Sequence, residues 1–121
     1  MKRLLLVLLA VSVIAGCTPV ERQAYNMIVG SKAALDSIKS KHPECATLQN
    51  TLCTDLSKAT ASKDVLIDSA ELYCASKTFD AGGPCTPPNK TDPKYQQLAD
   101  KLQAAMAGYS QAEADLKKAA Q

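Results

Sequence analysis

The chain has no tryptophan, one phenylalanine and four tyrosines among its 121 residues. Few large side chains are therefore available to anchor a core, while alanine is abundant, which points to closely packed helices stabilised partly by other means. Histidine is as scarce: His42 is the only imidazole, and it sits beside Pro43 between Lys41 and Glu44, where a lone loop histidine is ordinarily just solvated. No serine lies in a Gly-x-Ser-x-Gly nucleophile motif. No glycine-rich loop could cradle a phosphate, and no cysteine pair has the Cys-x-x-Cys spacing of redox proteins. The carboxylates are scattered over polar positions. These absences give no catalytic residue and no cofactor-binding or metal-ligating set, so an enzyme is not expected. Nor is there a basic stripe interleaved with aromatic residues, so nucleic acid is not an expected partner.

The chain has one long apolar run, at its start. Lys2 and Arg3 are followed by Leu4 to Ala15, apolar except for Ser12, and then by Gly16 and Cys17. About a dozen apolar residues suit the hydrophobic core of a signal segment, whereas a spanning helix needs about 20. The quartet Ile14-Ala15-Gly16-Cys17 resembles the lipobox of bacterial lipoproteins. That resemblance covers residues 1–17 only. It implies diacylglyceration (palmitate-type acylation) of the Cys17 thiol, cleavage after Gly16 and acylation of the new amine. Multiple acyl chains on one residue give stable attachment, because one chain alone is marginal. With Thr18 after the cysteine rather than aspartate, the resemblance implies the outer membrane, facing the periplasm, in a Gram-negative cell, and the outer face of the only membrane in a Gram-positive one. The expected organisation is a signal peptide over 1–16, a lipidated tether over 17–20 and a helical domain over 21–121. Lys2 and Arg3 account for the whole formal charge of +2, so the chain from Cys17 onward is formally neutral.

Five cysteines less the lipidated one leave Cys45, Cys53, Cys74 and Cys85. An even number in a small exported domain reads as two disulfides. Zinc sites favour closer cysteine pairs, and the spacings here are too wide for one.

Three amphipathic helices follow from the apolar spacing. The first runs from Val20 to Lys41 through Ala24, Met27/Ile28, Ser31, Ala34/Leu35 and Ile38. His42-Pro43 ends it, because the residue before proline is pushed out of the helical region. Gly30 lies inside this helix at a cost of about 1 kcal/mol relative to alanine, and close approach of a neighbouring backbone is its expected compensation. The second helix begins between Ala46 and Asn50. Its stripe is Leu52, Leu56, Ala59, Leu66, Ala70 and Tyr73, interrupted by Lys63, and it fades near Thr78. The third opens at Asp92-Pro93, an N-cap followed by proline at the first helical position. Tyr95, Leu98, Leu102, Ala105, Tyr109, Ala112, Leu116 and Ala119 then alternate steps of three and four without a break. The first meaning of that seam is the core stripe of a bundle, and an intermolecular coiled coil is the alternative. The expected fold is all-α: a small antiparallel three-helix bundle with two disulfides.

Four cysteines allow three pairings. If the second helix is unbroken, Cys53 and Cys74 lie about 31 Å apart along its axis, and Cys45 near its start is as remote from Cys74. A disulfide needs Cα atoms within about 7 Å. Cys45–Cys53 with Cys74–Cys85 then survives, and Cys45 must precede the helix. A break in the weak stretch 57–64 would remove this distinction.

The loop from Gly82 to Thr91, with Pro84, Pro87 and Pro88, reads either as a stapled connection or as a stiff partner-recognition loop. The leading expectation is a non-enzymatic envelope lipoprotein acting as an interaction or accessory module. It would be attached to the membrane through Cys17, with an envelope protein or a second copy of itself as partner. A small apolar-ligand-binding module and an inhibitor or immunity-type protein are the alternatives.

Overall fold

The computed structural model describes residues 19–121. The signal segment, the lipobox and Cys17 lie outside the described residues. Three long helices follow in order: α1, Val20–Lys41; α2, Thr51–Cys74; and α3, Pro93–Ala119. Short 3-10 turns occupy the two connections, at Pro43–Ala46 and Phe79–Ala81. Among the described residues there is no strand, and no helix is long and apolar enough to cross a membrane.

Each helix starts and stops for a local reason. His42 ends α1, its amide donating back to the carbonyls of Ile38 and Lys39. The Asn50 side chain caps α2 by accepting from the Cys53 amide at 2.8 Å. Asp92 caps α3 by accepting from the Lys94 amide at 2.9 Å, with Pro93 in the first turn. Lys117 and Lys118 in the last turn of α3 complement the helix dipole.

The helices pack as an up-down-up bundle in which α2 is central. It shares its largest interface with α3 and a smaller one with α1, while α1 and α3 meet only briefly. Ile28, Leu35, Leu66, Leu102, Tyr109 and Leu116 form the fully buried centre. Ala24, Ala59, Ala70 and Ala105 between them let the backbones come close. Every position of the α3 seam is buried or half-buried within the single chain. The seam is thus the core stripe of the bundle. Lys63 is half-buried, its stem along the bundle and its ammonium 3.4 Å from Asp64.

Both disulfides take the pairing that an unbroken α2 dictates. Cys45–Cys53 and Cys74–Cys85 have Cα separations of 5.0 and 4.3 Å. Each ties a connection to one end of α2.

Two expectations need correction. Helix α2 stops at Cys74, not near Thr78. Ala75 takes a left-handed conformation at φ 52°, and the Ser76 amide bonds back to the Glu71 carbonyl at 3.0 Å. This is the glycine-type helix stop carried out by an alanine, so no glycine marks it in the sequence. Gly30 has no close neighbour. It is exposed, and a Cβ built on it would meet nothing within 4 Å. It falls on the outward side of α1, where no backbone approaches.

Candidate functional site

The connection between α1 and α2 forms the larger concavity. The 3-10 turn at Pro43–Ala46 swings away from α1, and the Cys45–Cys53 bond draws it back onto the first turn of α2. The result is an open cleft of about 590 Å³ bounded by the end of α1 and the first half of α2. Leu56, Ala61, Pro43 and the disulfide give it an apolar floor, with Lys39, His42, Ser57, Thr60 and Asp64 around it. Its size lies within the ~300–1,000 Å³ range of small-molecule sites.

The polar groups of this cleft are mostly engaged. His42 Nδ1 lies 2.8 Å from Glu44 Oε1. That contact, together with the Glu44 backbone, holds the glutamate carboxyl below its usual range. Thr60 donates to the Leu56 carbonyl, and Asp64 faces Lys63. His42 thus serves as the cap of α1 and a wall of the cleft, a role that its place before Pro43 could have suggested.

A second, shallower groove of about 380 Å³ runs between α2 and α3, bordered by Ala61, Ser62, Val65, Ala104 and Gly108. Val65 is 55% exposed there. No spacing rule singled out this groove; small residues on facing helices were its only signal.

The other end of the bundle gathers most of the aromatic side chains. Tyr25 meets Phe79 edge-on at 5.8 Å, and Tyr73 lies 6.1 Å from Tyr95. Burial, aided by Tyr95, pushes the Tyr73 hydroxyl up to about 12. The connection after α2 folds back here along α1, so that Lys32 Nζ reaches Asp80 Oδ2 at 2.9 Å. The loop from Gly82 is then fixed by Cys85 and by the Thr86 amide, which donates to the Cys74 carbonyl at 2.9 Å. Gly83 is obligatory: a Cβ there would come within 2.1 Å of Thr78 Oγ1 and 2.8 Å of the Thr78 carbonyl oxygen.

Among the described residues no cluster of three or more histidine, cysteine or carboxylate groups could hold a metal ion. Cys45, Cys53, Cys74 and Cys85 are consumed in disulfides. No family model, no curated protein and no solved structure matches this chain.

Proposed function

We propose that this chain is a lipid-anchored protein of the bacterial cell envelope that works as a non-enzymatic interaction or accessory module. The single observation that carries the reading is Ile14-Ala15-Gly16-Cys17 at the end of a short apolar run behind Lys2 and Arg3. Two disulfides in so small a domain agree with export to an oxidising compartment. The anchor is Cys17, the destination is the outer membrane on its periplasmic side, and the working surface is the bundle itself. The test is fractionation of cells expressing the parent chain or Cys17→Ser. The parent sediments with membranes, and Cys17→Ser appears as a folded soluble precursor. Unchanged membrane association of the variant refutes the lipid anchor.

A second reading rests on the α1–α2 cleft, whose apolar floor suits a small apolar ligand. Saturable binding of dodecanoate that disappears in Ala61→Trp would favour it. Absence of binding leaves the interaction module.

A further inference from the structure

The groove between α2 and α3 holds a polar group that the fold does not use. Ser69 borders it and is only 4% exposed, yet its hydroxyl takes part in none of the hydrogen bonds among the described residues. Nor is that hydroxyl sealed off, because the Tyr109 hydroxyl is the one buried side-chain oxygen among those residues that is both occluded and unpartnered. It opens on the groove. Ser31, the other buried serine, instead donates to the Ile28 carbonyl of its own helix. In the up-down-up bundle α2 and α3 run antiparallel, so Ser69 and Lys101 share one end of the groove, and Ala61 and Gly108 the other. Lysines outside the ion pairs are common on this surface, Lys39, Lys58 and Lys118 among them. Lys101 differs from these in bordering a concavity that contains an unengaged buried hydroxyl. Among the described residues no carboxylate borders that groove, and Asp100, next to Lys101, accepts from the Gln96 amide at 2.7 Å. Beyond Gly108 the surface carries Asp55 and Asp115 against Lys58 alone, so the end at Lys101 is the one that suits an anion.

We propose that the α2–α3 groove binds a medium-chain carboxylate, its anionic head held by the Ser69 hydroxyl and the Lys101 ammonium and its aliphatic chain laid along Val65, Ala104 and Ala105 toward Gly108. A carboxylate accepting from a buried hydroxyl makes a charge-assisted bond, stronger than a neutral one, and relieves the cost of leaving that hydroxyl unpaired. The chain would cover Val65, which is 55% exposed. Ala61 and Ser69 lie about 12 Å apart along the α2 axis, which sets the length at about ten carbons. The groove volume of about 380 Å³ falls within the ~300–1,000 Å³ range of small-molecule sites. Gly108 keeps the far end open: a Cβ there would meet nothing within 4 Å, so a larger side chain at that position can occupy the groove without disturbing the core. This site is separate from the Cys45–Cys53 cleft and does not depend on the lipid anchor.

The test is photolabelling of the full chain, in detergent-free lysates of cells that express it, with a decanoate analogue carrying a diazirine near its chain end. Peptide mass spectrometry then maps the label. It is expected around residues 61–65 and 104–108, displaced by excess decanoate and not by decanol. The variants are placed at Ser69, Lys101 and Gly108, which border this groove and not the Cys45–Cys53 cleft. Ser69→Ala should weaken saturable labelling by about tenfold or more while the thermal midpoint stays unchanged or rises, since the hydroxyl makes no bond within the fold. Lys101→Gln should weaken it several-fold and remove its dependence on salt. Gly108→Trp should abolish it with helix content intact. Label confined to residues 39–60 places the ligand in the other cleft and overturns the proposal. Equal displacement by decanol overturns it too, as does labelling indifferent to Ser69→Ala and Lys101→Gln. A lowered midpoint in Ser69→Ala assigns that hydroxyl to the fold and removes the basis of the site. Absence of saturable label also overturns it, including the case in which native mass shows a second copy of the chain covering the groove.

Discussion

Lys32 and Asp80, 48 residues apart in sequence, meet at 2.9 Å. Their contact fastens the connection after α2 against the flank of α1. The Lys32 ammonium holds the Asp80 carboxyl below its ordinary range. A depressed carboxyl contributes stability that is present above its unfolded value, about pH 4, and is lost as pH falls through the folded value. Glu71 runs the other way: burial first, then the Asp80 charge, raises it, so that acid relieves it. Asp80→Asn should cost about 0.5–1 kcal/mol at neutral pH, the scale of a partly exposed pair. That deficit should shrink below about pH 4. Urea unfolding of parent and variant at pH 7 and pH 3 reads this, and a deficit that does not change with pH contradicts it.

The helix stop at Ala75 stores a removable cost. A left-handed non-glycine residue is disfavoured by about 1–2 kcal/mol, and Ala75 is exposed at φ 52°. Ala75→Gly should raise stability by up to about 1 kcal/mol, the relief being partly offset by the freer unfolded chain. Gly30→Ala should also gain about 1 kcal/mol, because open space surrounds that position. Gly83→Ala should be strongly destabilising, since Thr78 occupies the space its Cβ needs. A thermal unfolding series ranks the three, and a loss in Gly30→Ala contradicts the outward placement of that residue.

Tyr109 is 1% exposed, and its hydroxyl makes no hydrogen bond. Burial, and then the nearby Glu113 charge, pushes that hydroxyl far above the range of a free tyrosine. The Ser31 hydroxyl, the other group beside it, already donates to the Ile28 carbonyl at 2.7 Å. A buried unpartnered hydroxyl costs free energy, so Tyr109→Phe should leave stability unchanged or raise it by about 1 kcal/mol. A urea midpoint lowered by more than that amount contradicts the unpartnered state.

Each disulfide closes a short loop, and the loop-closure model assigns about 2.5–3 kcal/mol to each. Replacing both Cys74 and Cys85 by serine should also release the loop that the Thr86–Cys74 backbone bond helps to hold. Replacing Cys45 and Cys53 should loosen the wall of the α1–α2 cleft. Hydrogen exchange on the two double variants should show faster exchange near residues 75–92 in the first and near 43–53 in the second. Exchange that rises uniformly in both contradicts this division of labour.

Much of the fold is written in short-range pattern. The α3 seam, the Asp92-Pro93 start and the stop at His42-Pro43 act within a turn or two, and each stands where its chemistry predicts. The disulfide pairing followed because one continuous helix separates the two halves. Contacts set by the way the connections fold were hidden. Nothing local marks Ala75 as left-handed, or Phe79 and Asp80 as partners of Tyr25 and Lys32. The α1–α2 cleft is equally illegible in the sequence, although the spacing dictates Cys45–Cys53, because its depth depends on how far the 3-10 turn stands from α1. The outward place of Gly30 is not legible either, because a helical glycine signals only low propensity. Which side of α1 it occupies depends on α2 and α3.

The most direct measurement on the central claim is the intact mass of the protein extracted from membranes, taken before and after reduction. The account predicts a chain that begins at Cys17, carries a diacylglyceryl group and an N-acyl chain, and gains four hydrogen atoms from the reductant when Cys45–Cys53 and Cys74–Cys85 are reduced. An unmodified chain that retains Met1–Gly16, or one cut elsewhere with a free Cys17 thiol, would contradict it.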